Sequence, residues 1–518
     1  MWKTCVSLIL LTVVQLAQAQ SIIPLPQSLS KQTGTFLFDK TTTIVVGTEF
    51  RNEVNDFIST VAKRSGFRLS IEKGPKSHHV IELVRDTSGL AEGYYSLNVT
   101  PSKISVRAHD PAGAYYAMMT LLQLIQFQEN ATNVPLSYPI QAVSITDYPR
   151  FKWRGLMLDC SRTFIPPDYI KRTLDRMAFY KLNVLHLHLI DDQGWRLEMK
   201  SRPLLTQKSS TFPEKYHEPS EFQGFYTQKD IAGLLAYAAS KHIEIIPEIE
   251  GPGHNQAALY AYPNLSCTNN IKPLFPLFHG DIITAEVFCV GNPDVYPFFD
   301  DVITETASLF PTKYLHLGGD EVPRTHWAKC PKCQQLVKTG VVKDTEALQG
   351  YFMKKIAESV RKAGKRPLAW DEILEDKNGY ISSDWVVMSW RDFTGKNPAI
   401  EAIRRGHDIV LSPTSHLYFD YPYETTDTKR VFNYSPFADI PDKADQQHVL
   451  GIQANFWSHI DRTQSRIDYQ LYPRTLALAE RAWSSAENTD FENFKARKAQ
   501  HLPWLDYMQV IYNKISDR

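Results

Sequence analysis

Residues 184–195 read Val184-Leu185-His186-Leu187-His188-Leu189-Ile190-Asp191-Asp192-Gln193-Gly194-Trp195. The run is apolar except for two histidines, and it stops abruptly at two carboxylates. A strand covered on both faces reads this way, because it has no water-facing side to fill with charged residues. The same unit recurs from about residue 150 onward as Gly155 to Leu158, Val184 to Ile190, Ile243 to Ile249, Tyr314 to Leu317, Pro367 to Trp370, Val386 to Trp390, Asp408 to Leu411 and Gly451 to Phe456. Helical stretches separate the runs. Buried strands alternating with helices over residues 148–518 predict a (β/α)8 barrel, a TIM barrel, with C-terminal helices. A doubly wound open sheet is the structural alternative, but the Gly-rich phosphate turn after its first strand is missing.

Residues 20–147 have another rhythm. Short β-like runs (Thr43 to Val46, Val80 to Val84, Tyr94 to Val99, Lys103 to Arg107) accompany a helical stretch, Ala112 to Gln126, with Ala117, Leu121, Leu124 and Ile125 at helical spacing. This predicts a small α+β domain without a cluster of catalytic residue types. At the extreme N-terminus, Lys3, the apolar run Val6 to Leu16 and the small-residue site Ala17-Gln18-Ala19 predict a signal peptide over residues 1–19. The run is too short for a spanning helix of roughly 20 residues. Export is therefore expected, to the medium, a periplasm or, in a eukaryote, a lysosome-like compartment. Asn98, Asn130, Asn264 and Asn433 stand in glycosylation sequons, which act only on a eukaryotic secretory route.

Among 518 residues, 43% are hydrophobic and 12% aromatic, enough for a large core; 57 basic residues balance 57 acidic ones. No net field draws the chain to nucleic acid or an anionic membrane. A neutral or compact substrate fits better, and a homodimer is admitted as an assembly. Cys267 and Cys289 flank a loop and suit a disulfide, whereas Cys330-Pro331-Lys332-Cys333 can be a disulfide, a reduced pair or half of a metal site. No second Cys/His pair follows at matching spacing, which argues against zinc. Cys160 reads as a buried thiol. No cofactor and no metal are expected.

Barrel enzymes place their chemistry where strands end. Here the strand ends carry Asp159 and Arg162; His186, His188, Asp191 and Asp192; Glu248, Glu250 and His254; Asp320 and Glu321; Trp370, Asp371 and Glu372; Trp390 and Arg391; Tyr418 and Asp420; Trp457 and His459. Carboxylates beside tryptophans suit sugar chemistry, which needs a proton donor, charge to stabilise an oxocarbenium-like transition state and flat faces for pyranose C–H surfaces. A double-displacement glycosidase holds acid and nucleophile roughly 5 Å apart on opposite sides of the anomeric carbon. Adjacent Asp320 and Glu321 cannot straddle a sugar that way. Glu321 can be the acid, and a 2-acetamido carbonyl of the substrate can be the nucleophile while Asp320 accepts its N–H.

The motifs Arg154-Gly155-Leu156-Met157-Leu158-Asp159-Cys160-Ser161-Arg162, His186 to Trp195, Ile246-Pro247-Glu248-Ile249-Glu250-Gly251-Pro252-Gly253-His254, His316-Leu317-Gly318-Gly319-Asp320-Glu321-Val322 and Tyr472 to Trp483 resemble glycoside hydrolase family 20, the β-N-acetylhexosaminidases. The resemblance runs from about residue 22 almost to the C-terminus. It implies an exo-acting, retaining enzyme without a cofactor, acting on terminal β-linked GlcNAc or GalNAc through an oxazolinium intermediate. It implies Glu321 as general acid/base, Asp320 as the group positioning the acetamido nitrogen, and Asp191 with His254 as a supporting pair. Tyr418 would bond the acetamido oxygen, Trp370, Trp390 and Trp457 would wall the pocket, and Arg162 with Asp420 would grip sugar hydroxyls. The sequence departs from the family pattern at Glu250, where many members have Asp, and at His459, where many have Glu. A protonated His459 would favour a 6-sulfated sugar. Two rivals remain: a metal-dependent hydrolase using His186, His188 and Asp191, and a sugar-binding protein without catalysis, which would keep the tryptophans and lose the acid.

Overall fold

The computed structural model describes residues 21–74, 76, 78–88, 91–127, 135–280, 283–515 and 517. The expected signal peptide and the Asn130 sequon lie outside them. No helix among the described residues is long and apolar enough to cross a membrane.

Eight parallel strands close into a barrel: Trp153–Asp159, Val184–His188, Glu244–Glu248, Tyr314–His316, Arg366–Trp370, Val386–Ser389, Asp408–Leu411 and Val449–Phe456. Each lies within a residue or two of an apolar run in the sequence. Almost every strand residue is buried, as a sheet packed inside and out requires. Its lumen is filled by Trp153, Val184, Ile246, Tyr314, Leu368, Trp370, Val386, Met388 and Val410, so the barrel is a packed core open to ligands only at its rim.

The N-terminal domain is a mixed sheet in the order Ser28–Asp39, Ser137–Asp147, Tyr95–Val99, Lys103–Ala108, Val80–Arg85, Thr43–Val46, Ser70–Glu72. Helix Pro111–Leu124 starts where Asp110 Oδ1 accepts the Gly113 N–H at 2.7 Å. From Gly113 onward this helix is buried throughout, because it lies between the sheet and the barrel. An apolar all-round helix needs such cover. Gln123 reaches across to the Phe179 carbonyl of a barrel helix at 3.0 Å, and Arg154 to the Tyr116 hydroxyl at 2.8 Å.

The two domains are also joined by a buried ion pair. Lys181 Nζ lies 2.8 Å from Asp147 Oδ2, both side chains fully buried, and Asp147 also accepts from Tyr95 and the Trp483 indole. Burial pulls the Lys181 pKa below its ordinary value even with Asp147 beside it. Asp147→Asn strands that ammonium, so a stability loss of about 3–5 kcal/mol is expected by chemical denaturation. A loss under about 1 kcal/mol, the scale of a surface pair, would mean that water solvates the lysine.

The five described cysteines are free, which corrects the expected Cys267–Cys289 bridge. Cys267 and Cys289 stand near each other without bridging, and both also approach Cys333, at 3.8 and 3.7 Å between sulfurs.

Candidate active site

At the carboxyl end of the barrel, strand Tyr314–His316 runs into Leu317-Gly318-Gly319-Asp320-Glu321. The two glycines turn with φ +62° and +94°. A Cβ on Gly318 would fall 1.8 Å from Glu250 Oε1, so glycine there lets the buried Glu250 side chain slide under the turn. Glu250 Oε1 then accepts the Gly319 N–H at 2.9 Å and its neighbour Gly251 N–H at 3.0 Å. Burial and the nearby Asp320 hold the Glu250 pKa well above the carboxylate range. Sequence reading flagged Glu250 as a departure and missed this supporting role; the paired glycines after the strand were its signal.

Glu321 and His254 both sit at positive φ, +48° and +50°. Left-handed backbone at a non-glycine residue costs on the order of 1–2 kcal/mol, and here it is spent on bringing these two side chains together. His254 Nε2 lies 3.5 Å from Glu321 Oε2 and 3.8 Å from Asp320 Oδ2, while its Nδ1 lies 3.3 Å from Asp191 Oδ1. Both adjacent carboxylates thus converge on one nitrogen of one ring, from one wall of the pocket. Burial opposes charge on His254, but Asp191, Glu321 and Asp320 outweigh it and raise its pKa well above the usual imidazole value. That cation, 3.5 Å away, in turn lowers the Glu321 pKa from its ordinary value in the unliganded pocket. Asp320 differs: it is 8% exposed, its Oδ1 has no protein partner, and burial pushes its pKa up to about 6.

Asp191 is fixed by His188 Nε2 at 3.0 Å and Arg162 Nη2 at 2.8 Å, and Arg162 also reaches Asp159 at 3.3 Å. These cations hold Asp191 ionised well below its ordinary pKa, despite burial. The Arg162 guanidinium lies 5.0 Å from the Trp457 ring centre. From there an aromatic wall continues, Trp457 to Trp370 at 5.9 Å, Trp457 to Tyr418 at 6.4 Å, and Tyr418 stacked on Trp390 at 6.0 Å. Indole N–H groups lock it: Trp370 donates to Glu248 at 2.8 Å and Trp390 to Glu372 at 2.9 Å. Asp420 is buried with Oδ1 unpartnered, and burial raises its pKa to about 7; His459 Nε2 lies 4.0 Å from it.

The histidines that suggested a metal site surround Glu248 instead. His186 Nε2 and His316 Nδ1 lie 3.2 and 2.9 Å from that carboxylate, and His188 Nδ1 bonds it too. His188 faces Asp191 with its other nitrogen, so His186, His188 and Asp191 do not share one ligand point. Glu248 is thereby a hub joining the strand ends to the Trp370 indole, a role that strand-end position alone did not reveal.

Residues 151–486 match the model of glycosyl hydrolase family 20, catalytic domain, and residues 19–148 that of glycosyl hydrolase family 20, domain 2. A beta-hexosaminidase of Porphyromonas gingivalis is 37% identical over 511 residues, covering 95% of this chain; the chain spans 64% of that relative's length. The GH20 exo beta-N-acetylglucosaminidase of Vibrio harveyi, solved in complex with N-acetylglucosamine, superposes with a TM-score of 0.86 at 33% identity, covering 96% of this chain and 78% of that one. Streptomyces plicatus N-acetyl-beta-hexosaminidase, in complex with Thio-NAglucal, gives 0.83 at 29% identity over 96% of this chain and 97% of its own.

Proposed function

The chain belongs to glycosyl hydrolase family 20, and from that premise we propose that it is an exo-acting, retaining β-N-acetylhexosaminidase using its substrate's own acetamido group as nucleophile. The observation that carries the mechanism is the convergence of Asp320 and Glu321 on His254 Nε2. With both carboxylates on one wall, neither can attack the anomeric carbon from the face opposite the other.

The sugar's 2-acetamido oxygen attacks C1 while the C1–O bond to the leaving group breaks and Glu321 gives its proton to the departing oxygen. Asp320 takes the acetamido N–H on its free Oδ1 and balances the positive charge of the oxazolinium. Water then adds to C1 from the vacated side, Glu321 takes its proton, and the bond between C1 and the acetamido oxygen breaks to restore the acetamide. Two inversions leave the β configuration unchanged. Tyr418 bonds the acetamido oxygen, Trp370, Trp390 and Trp457 enclose the sugar, and Arg162 and Asp420 meet its hydroxyls. Asp191 acts through His254 and Arg162. The N-acetylglucosamine bound by the Vibrio relative supports the substrate class.

A preference for 6-sulfated sugars finds no support at His459. Burial and the Arg162 charge lower its pKa, leaving the ring neutral near pH 7.

Hydrolysis of an aryl β-N-acetylglucosaminide against the matching β-glucoside tests the proposal. Loss of an intramolecular nucleophile removes an effective molarity of order 10⁵ M or more, so kcat/KM for the glucoside is expected to be lower by at least about 10⁴. Equal rates would contradict acetamido participation.

A further inference from the structure

Away from the catalytic rim, Cys267, Cys289, Cys330 and Cys333 bring their sulfurs within 4.8 Å of one another. The sulfur separations are 3.8 Å for Cys267–Cys333, 3.5 Å for Cys289–Cys330 and 3.7 Å for Cys289–Cys333. A disulfide needs about 2.05 Å between sulfurs. Four thiolates at about 2.3 Å from one tetrahedral ion stand roughly 3.8 Å apart. We infer that these four cysteines form a structural zinc site, which the strand-end chemistry does not use.

The chain around them is built to hold that spacing. Cys330 and Cys333 bracket the start of helix Pro331–Lys338, a C-x-x-C turn whose first Cys is the N-cap and whose helix N-terminus favours thiolate. Cys289 arrives on a short antiparallel bridge, Ser266 to Phe288, with its N–H on the Leu265 carbonyl at 2.9 Å; this places Cys267 and Cys289 side by side. Gly291 follows. A Cβ there would meet the Lys332 carbonyl oxygen at 2.2 Å, so glycine lets the second loop pack against the C-x-x-C turn. The Trp327 indole, fully buried, donates to the Phe288 carbonyl at 2.9 Å and closes the side. Cys289, Cys330 and Cys333 are buried and Cys267 is half-buried. A tetrahedral all-sulfur set selects zinc over hard cations and leaves no open position for substrate.

The ion would tie the loop after the third barrel strand to the one after the fourth. The Phe288 N–H bonds the Pro252 carbonyl at 3.1 Å, two residues before His254, so the site braces the wall that carries both His254 and Glu321.

Full-length protein purified without chelator is expected to hold one zinc per chain by elemental mass spectrometry. Titrating its thiols with a mercurial should release that zinc, and cobalt exchange should give the absorption of a tetrahedral thiolate complex. Cys330→Ser is expected to lose the zinc and several degrees of Tm, and Cys160→Ser to keep both. If Cys330→Ser does not fold, Cys267→Ser at the half-buried ligand serves, with zinc retained less tightly against a competing chromophoric chelator. Metal-free protein with an intact mass lower by four hydrogens, two disulfides, would overturn the inference. So would four free thiols without metal, iron in place of zinc, or a Cys267→Ser protein holding zinc as tightly as the parent.

Discussion

Glu321→Gln is expected to lower kcat by roughly 10²–10⁴ on a glycoside with a sugar or alkyl leaving group, the range a positioned acid/base supplies. The glutamine keeps the shape of the side chain but can neither give a proton nor take one. In the unliganded pocket the positive charge of His254 beside it holds the Glu321 carboxyl down, so the donor is charged there. A sugar seated over this side chain, which is 42% exposed without it, removes water from the carboxylate and raises its pKa toward the working pH. His254 then sets the limit. Being charged, it steadies the carboxylate once the proton has left and prepares it to accept another from water. The effect should shrink on aryl glycosides whose leaving group departs without protonation, because only the hydrolysis of the intermediate then needs a base. A loss under about 10-fold on both classes would place the acid elsewhere.

The sequence made the barrel legible because parallel strands covered on both faces become continuous apolar runs, and Val184–His188 or Val386–Ser389 cannot be read as anything half-exposed. Three strands of the N-terminal sheet escaped that logic, and one of them, Ser70–Glu72, is too short to show any pattern. Ser28–Asp39 lies at the edge of the N-terminal sheet with half of its side chains exposed, and its partner Ser137–Asp147 shows only a partial alternation, so neither presents an apolar run. The catalytic candidates were visible because strand ends concentrate chemistry and the aspartate–glutamate pair follows a strand directly. What sits behind them was not. Glu250 under the Gly318 turn and Glu248 among three histidines are relations between loops of different strands, fixed only when the barrel closes. The cysteines make the same point in sharper form. Cys289 is 41 residues from Cys330 and Cys267 is 66 from Cys333, so spacing rules for compact zinc motifs passed over a quartet that folding assembles.

Asp320→Asn is expected to cost about 10²–10³ in kcat with much less change in KM, the pattern of an interaction that strengthens in the transition state. In the ground state the acetamido N–H is neutral, and an amide oxygen can still accept it. As the oxazolinium forms, positive charge grows on that nitrogen, and only the carboxylate answers it in a site with little water. A thiazoline mimic of the cyclised intermediate should therefore lose more affinity than the product sugar does. The pH profile gives an independent readout. Burial raises the Asp320 pKa to about 6, so falling pH neutralises the carboxylate in the free enzyme and kcat/KM should decline through that region. Because Asp320 and Glu321 share His254, the observed limb belongs to the pair, but its Asp320 component must vanish in Asp320→Asn. The decisive comparison uses the β-glucoside. Having no acetamido group for Asp320 to hold, it should be turned over equally slowly by both proteins, and an equal fold-loss on glucoside and N-acetylglucosaminide would show that Asp320 acts on the fold of the pocket rather than on the substrate's nitrogen.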